Sequence, residues 1–85
     1  MAEEKEIGKV MSYFTHVGVA AVTLSGNLKI GDKIHIKGAS TDFTQSVDSM
    51  QVEHKNVDVA GPDDSIGLKV KERVREGDKV FKITE

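Results

Sequence analysis

Residues 28–38 read Leu-Lys-Ile-Gly-Asp-Lys-Ile-His-Ile-Lys-Gly, and this stretch decides the fold. Apolar residues alternate in it with lysines and a histidine, which is the period of two that a half-buried β-strand requires. Gly31 and Asp32 interrupt the alternation, because Gly tolerates the positive φ of a corner and Asp bonds nearby backbone. The stretch predicts a short arm, a corner and a strand, and residues 74–80 repeat the Gly-Asp corner. The residues expected on its buried face are Leu28, Ile30, Ile34 and Ile36.

Other segments rich in β-branched and aromatic residues lie between turn-forming clusters in the same way. The predicted strands are 7–14, 19–24, 28–38, 43–54, 66–75 and 80–83. Bulges are expected at Gly8 or near Ser12 and around residues 48–49, because the apolar residues change there from one face of the strand to the other. Residues 55–60 are compatible with either an edge strand or a loop. Turn signals recur roughly every 8 to 12 residues, and no window has a helical period. The sequence predicts an all-β fold, a small closed six-stranded Greek-key barrel, since closure removes exposed sheet edges.

Size and composition limit the classes of protein. A chain of 85 residues is long enough for one domain only. We expect this domain to comprise residues 6–85 and to follow a flexible acidic segment at residues 1–5. The net charge of -2 argues against a protein that binds polyanions over its whole surface, and the absence of cysteine excludes disulfides and thiolate metal sites. Neither a signal peptide nor a membrane-spanning run is recognisable, so we expect a cytoplasmic protein with no membrane partner.

Four motifs occur in an order that resembles the second domain of translational GTPases such as elongation factor Tu. They are Gly18-Val-Ala-Ala-Val-Thr-Leu24, Leu28-Lys-Ile-Gly-Asp-Lys-Ile34, Asp64-Ser-Ile-Gly-Leu68 and Val74-Arg-Glu-Gly-Asp-Lys-Val80. Residues 36–38, 41–45, 49–54 and 69–75 look closer still to the C-terminal barrel of the collagenase-like peptidase family, some of whose members are linked to tRNA hydroxylation. The resemblance implies a translation-factor barrel standing alone. It does not imply GTPase activity, because the phosphate-binding loop of those enzymes belongs to another domain.

Residues suited to catalysis or metal binding are few. His16, His35 and His54 are not at ligand spacing, and a metal site needs three or four converging ligands. We interpret them as surface residues. No Ser lies in a Gly-x-Ser-x-Gly elbow, so we expect no enzyme activity, no metal, no nucleotide and no other cofactor.

The strongest functional signal is the segregation of charge along the chain. Residues 67–82 contain six cations and three acids, a net charge of +3, whereas residues 48–64 contain five acids and one lysine, a net charge of -4. The predicted strand 66–75 projects four of these cations from one face. Such a row can follow a phosphate backbone. The alternative is that it only keeps an outward face soluble and discourages edge pairing.

Phe43 is the other candidate, since an aromatic residue among the short polar residues of 41–45 could stack on a base or anchor a partner. The alternative is a place in the core. We expect a non-catalytic translation-factor-like module that binds tRNA or ribosomal RNA. The alternative function is a subunit that docks on a separate catalytic chain, such as a collagenase-like peptidase, through residues 42–45 and 50–55. The residues expected to bind RNA or the partner are Lys37, Asp42, Phe43, Gln45, Lys69, Lys71, Arg73 and Arg75.

Overall fold

The computed structural model describes residues 3–84, which form β-strands joined by turns. The strands are β1 (Glu3–Phe14), β2 (Val19–Leu24), β3 (Leu28–Lys29), β4 (Lys33–Lys37), β5 (Asp42–Ser46), β6 (Met50–Val52), β7 (Lys55–Asn56), β8 (Val59–Ala60), β9 (Ser65–Lys69) and β10 (Lys79–Thr84). The predicted all-β class is confirmed. Within these residues, no helix is long and apolar enough to span a membrane.

Eight strands form one antiparallel sheet in the order β5-β4-β10-β1-β2-β9-β6-β7, and β3 pairs with β8 in a separate two-stranded sheet. The prediction of six strands is therefore wrong in number. The ladder of residues 3–84 ends at β5 and β7 and does not close into a barrel. Three of the strands, β3, β7 and β8, are only two residues long. Strand β3 lies where the short arm was predicted, and β7 and β8 lie within residues 55–60, for which the sequence left an edge strand and a loop open.

The segment that was predicted as one bulged strand over residues 43–54 is divided into β5 and β6. Between them, the backbone of Val47 bonds the first Gly-Asp corner: Val47 N donates to Asp32 O at 2.8 Å, and Gly31 N donates to Val47 O at 2.9 Å. The expected bulge at residues 48–49 is thus a break, because the corner captures the backbone that would have continued the ladder.

The two Gly-Asp corners have the same geometry. Gly31 and Gly77 both have a φ of 93°, a backbone conformation that residues other than glycine rarely adopt. In each corner the following Asp accepts a hydrogen bond from the backbone N–H three residues earlier, at 3.0 Å for Asp32 and 2.9 Å for Asp78. The repeated motif read from the sequence is therefore a repeated structural unit, and each unit delivers the chain into a strand of the main sheet.

Strand β1 has a bulge at each of the two places that the sequence offered as alternatives, since its register shifts between Glu6 and Gly8 and again between Val10 and Ser12. Of the segment 1–5 that was expected to be flexible, residues 3–5 belong to β1. Residues 1 and 2 lie outside the described residues, but from Glu3 onward the chain pairs with β10, whose backbone extends far enough to offer partners.

The core packs against one face of the main sheet and contains most of the apolar residues that the alternation predicted to be buried. Its buried members are Ile7, Val10, Ala20, Val22, Leu24, Leu28, Ile34, Ile36, Phe43, Val47, Met50, Ala60, Ile66, Leu68, Val70, Val74 and Val80. The alternation predicted that Ile30 is buried, and this prediction is wrong, because its side chain is exposed. It lies within the first Gly-Asp corner, where its N–H bonds Asp58 O at 2.9 Å and the strand period no longer applies.

Candidate cationic binding surface

The four cations predicted on one strand are exposed, but three of them are not on a strand. Strand β9 ends at Lys69, and Lys71, Arg73 and Arg75 lie in the segment 70–78 that leads to β10. Val70 N donates to Gly18 O at 3.0 Å and Gly77 N donates to Val10 O at 2.8 Å, so other parts of the chain hold this segment. The prediction of a cationic strand is therefore wrong, although the alternation of buried and exposed residues continues through the segment.

Gln45 fastens the edge strand β5 to the end of β9. Its amide nitrogen donates to Lys69 O at 2.9 Å, and its amide oxygen accepts from Lys71 N at 2.8 Å. Gln45 also lines a cleft of about 500 Å³ together with Lys69 and Lys71. The ammonium group of Lys69 bonds Val17 O at 2.7 Å, which holds this cation against the turn between β1 and β2. Because both ends of the Gln45 amide are occupied, this predicted binding residue has a structural role.

Phe43 and Asp42 are less suited to RNA contact than the sequence indicated. Phe43 is only 9% exposed and belongs to the core, so its ring cannot stack on a base. This corrects the predicted binding role and corresponds to the alternative that was weighed for it. Asp42 is exposed but carries a negative charge, and its carboxylate bonds His35. Neither residue offers a contact that would favour a phosphate.

A row of three lysines crosses the outer face of the sheet. Lys9 in β1 lies directly opposite Lys79 in β10, which lies directly opposite Lys37 in β4. All three side chains are exposed, and each has a buried neighbour in sequence, so they leave the same face. Directly paired residues have Cβ atoms about 5 Å apart. We call these residues the lysine row. Sequence reasoning selected Lys37 but missed Lys9, because only the strand register brings Lys9 beside Lys79.

The lysine row is only weakly compensated by negative charge. In the part of the chain that the structure describes, Lys79 pairs with Glu6 at 3.5 Å, and both side chains are exposed. Such pairs contribute at most about 1 kcal/mol. Asp42 lies opposite Lys37 at the end of the row. Like charges that face each other across strands destabilise a sheet by roughly 0.2–1 kcal/mol. The row therefore carries an electrostatic cost that a bound anion would relieve.

Lys82, another of the six cations of residues 67–82, is not available in the same way. Its ammonium group pairs with Asp32 at 3.2 Å, and both side chains are partly buried. Lys82 therefore ties β10 to the first Gly-Asp corner. The lysine row lies on the opposite face of the sheet, since its members alternate with the inward side chains of β10.

His35 is held between two carboxylates on the outer face of the sheet. One ring nitrogen lies 2.8 Å from Glu4 Oε1, and the other lies 2.5 Å from Asp42 Oδ1. The hydrogen bond to Asp42, followed by that to Glu4, raises the pKa of His35 above its ordinary value of 6.5. The same bond to His35 lowers the pKa of Asp42 below 3.8. The expectation that His35 is a plain surface residue is therefore wrong.

The His35 contacts predict a specific pH dependence. A raised His35 pKa contributes stability fully below about pH 6.5, and this contribution is lost as the pH rises through the folded-state pKa. A lowered Asp42 pKa contributes stability above about pH 3.8, which is lost as the pH falls through the folded-state pKa. The contribution is thus greatest between these values. Replacing Asp42 by Asn should lower the pKa of His35, as measured by NMR titration of its ring protons. An unchanged pKa would show that the Asp42 contact does not control it.

Among residues 3–84, no three or more His, Asp and Glu side chains converge in a group that could hold a metal ion. His16 and His54 are both exposed. The described residues likewise place no Ser and His side chains in hydrogen-bond contact.

Comparison with known proteins relates this sheet to one domain of much longer chains. An uncharacterized protease of Methanocaldococcus jannaschii is 42% identical over 81 residues, which are 94% of this chain and 20% of the relative. A collagenase of Porphyromonas gingivalis is 38% identical over 78 residues, which are 89% of this chain and 22% of the relative. The chain spans about a fifth of the length of these curated relatives. It matches no protein-family model.

Two solved structures have the same fold as this chain. A crystal structure of the C-terminal domain of a Geobacillus thermoleovorans protein, named as a U32 peptidase, has a TM-score of 0.84 and 25% identity and covers 89% of each chain. Its selenomethionine variant has a TM-score of 0.85 at 24% identity, over 89% of this chain and 96% of that chain. This chain is homologous to the C-terminal domain of the U32, or collagenase-like, peptidases.

Proposed function

We propose that this protein is a non-catalytic module that binds RNA, of the tRNA or ribosomal class, through the sugar-phosphate backbone. The observation that carries the proposal is the lysine row, in which Lys9, Lys79 and Lys37 face one another across three adjacent strands. Phosphates placed over the row would replace lysine–lysine repulsion by attraction. Binding of this kind is insensitive to base sequence and sensitive to salt.

The segment between β9 and β10 extends the cationic surface. Arg75 begins the turn that ends at Asp78, immediately before Lys79, so this segment leads directly into the lysine row. Lys71 and Arg73 are exposed further along it. The proposed contact surface thus keeps five of the eight predicted site residues: Lys37, Lys69, Lys71, Arg73 and Arg75. It omits Asp42, Phe43 and Gln45, whose side chains serve the fold.

The proposal is tested by fluorescence anisotropy of labelled bulk tRNA between about 50 and 200 mM salt. The test variant replaces Lys9, Lys37 and Lys79 by Gln. The matched control replaces Lys5, Lys29 and Lys55 by Gln, which makes the same change in net charge at exposed positions outside the row. Each lost phosphate contact reduces the magnitude of the slope of log K against log salt concentration by about 0.7–0.9. With three lysines replaced, the test variant should have a slope smaller in magnitude by about 2 to 3. It should also bind roughly tenfold more weakly than the wild-type protein.

The control variant should retain most of the affinity and slope. Two results would reject the proposal. One is the absence of binding by the wild-type protein at the lowest salt. The other is equal weakening by the test and control variants, which would mean that net charge alone is responsible.

We also propose that the curled sheet is a variant of the translation-factor barrel. The resemblance of the Gly-Asp motifs to those of elongation factors supports this assignment. In this variant the Gln45 amide joins β5 to the end of β9, at a place where a closed barrel would have a backbone ladder. Gln45→Ala should then expose the backbone of this junction, which faster amide exchange at Lys71 would report.

A further inference from the structure

A partly exposed aromatic residue lies next to the lysine row on the outer face of the sheet. Phe81 follows Lys79 by two positions in β10, and the residue between them, Val80, is buried. Because side chains alternate along a strand, Phe81 and Lys79 leave the same face. Among residues 3–84, Phe81 belongs neither to the buried core nor to the apolar residues packed against that core. Its ring therefore lies on the face that the lysine row crosses.

The Phe81 ring has a fixed neighbour on this face. It lies directly opposite His35 of β4, and the centroids of the two rings are 6.3 Å apart with their planes inclined at 46°. Aromatic rings at such a separation and tilt attract each other. His35 is itself held by hydrogen bonds with Glu4 and Asp42. Phe81 thus packs beside a ring whose position is fixed, which restricts its motion before any ligand binds.

The charges around Phe81 leave positive charge available beside the ring. Three carboxylates lie near it, and each of them contacts a basic side chain of the same face; they are Glu4, Glu6 and Asp42. Lys9 and Lys37, at the two ends of the lysine row, take part in none of the ion pairs formed among residues 3–84. A phosphate over the row would therefore lie one strand repeat, about 7 Å, from the Phe81 position.

We infer that Phe81 is a stacking platform for one unpaired base of the bound RNA, so that the preferred ligand of this surface is single-stranded RNA and not duplex RNA. The inference rests on the proposed RNA-binding function and adds a base contact to its phosphate contacts. Bases in a duplex are stacked on one another, whereas an unpaired base can offer its face to an aromatic side chain. Such stacking tolerates any base, because every base has a π-face, and it therefore agrees with binding that is insensitive to sequence.

The inference is tested by fluorescence anisotropy with two labelled probes at one low salt concentration. One probe is an unstructured oligoribonucleotide, and the other is the duplex that it forms with its complement. The wild-type protein should bind the single strand at least about fivefold more tightly. Phe81→Leu keeps an apolar side chain but removes the aromatic face. It should weaken binding of the single strand by roughly 5- to 100-fold, the effect of losing one stacked base, and leave binding of the duplex unchanged.

Two variants separate this inference from the function on which it rests. Phe14→Leu makes the same change at an aromatic residue that is 53% exposed at the end of β1, and it should leave both affinities unchanged. The variant without the lysine row should bind both probes more weakly and with a reduced salt slope. Phe81→Leu should keep the salt slope, because stacking releases no counterions. Phosphate contact and base stacking therefore give different results.

A tryptophan at position 81 gives a readout that a purely structural role would not produce. The chain contains no tryptophan, so Phe81→Trp introduces a single indole fluorophore. The single strand should quench its fluorescence, and inorganic polyphosphate, which supplies phosphates without bases, should not. Equal affinity of Phe81→Leu and wild type for the single strand, or equal quenching by polyphosphate, would overturn the inference and leave the lysine row as an RNA-binding surface. Failure of the wild-type protein to bind either RNA probe would overturn both proposals.

Discussion

Gly38→Ala is expected to reduce the free energy of unfolding by about 3 kcal/mol. A Cβ at this position would overlap Asp78 Oδ1 and lie 2.6 Å from Asp78 Cγ. Asp78 is buried, and its other carboxylate oxygen accepts the Arg75 N–H at 2.9 Å. The Asp78 carboxylate cannot move away from the new Cβ without losing the hydrogen bond from Arg75 N–H. Overpacking costs typically 1–3 kcal/mol, and the loss of a hydrogen bond to a charged group adds about 1.5–3 kcal/mol where it occurs.

The effect of Gly38→Ala is measured by urea denaturation beside Gly61→Ala. Around Gly61 a Cβ would make only ordinary contacts, with Asn27 Oδ1 at 3.5 Å, so this control should change stability by less than about 0.5 kcal/mol. Combining Gly38→Ala with Asp78→Ala should cost less than the sum of the two changes, because the second removes the obstacle created by the first. Additive costs would mean that the two residues do not interact.

Leu68→Ala is expected to cost about 2–5 kcal/mol, a large share of the roughly 5–15 kcal/mol available to a small domain. Leu68 is fully buried in β9, where it lies opposite Ala20 on one side and Met50 on the other. It joins the central sheet to the β6–β7 hairpin, and the small Ala20 cannot expand into the cavity. Val59→Ala, at an exposed position, is the control and should have little effect. A loss below about 1 kcal/mol for Leu68→Ala would mean that the strands repack freely.

The sequence predicted the parts of the fold that depend on local pattern. Alternation identified the buried faces of β4 and β9, and the Gly-Asp pairs identified both corners, because each signal is contained within a few neighbouring residues. Alternation reports exposure and not hydrogen bonding, however. Val70 and Val74 are buried although they lie outside any strand, so the pattern extended β9 too far.

The candidate site could be predicted only in part, because register decides it. The alternation correctly predicted that the four cations of residues 69–75 are exposed. Lys9 and Lys79, by contrast, become neighbours only when β1 pairs with β10, and the bulge between Glu6 and Gly8 sets the register of that pairing. Phe43 was given a binding role because its polar neighbours resemble an exposed loop. Its inward parity on β5 places it in the core instead.

The most direct test of the central claim is an NMR titration of the isotopically labelled protein with unlabelled tRNA at low salt. The claim predicts that backbone amide shifts concentrate at Lys9, Lys37 and Lys79 and along residues 69–78, and that they reverse when salt is added. Amides of the β6–β7 hairpin should stay unchanged and serve as the internal control. Shifts that avoid the lysine row, or no shifts with excess tRNA, would contradict the claim that this face of the sheet binds RNA.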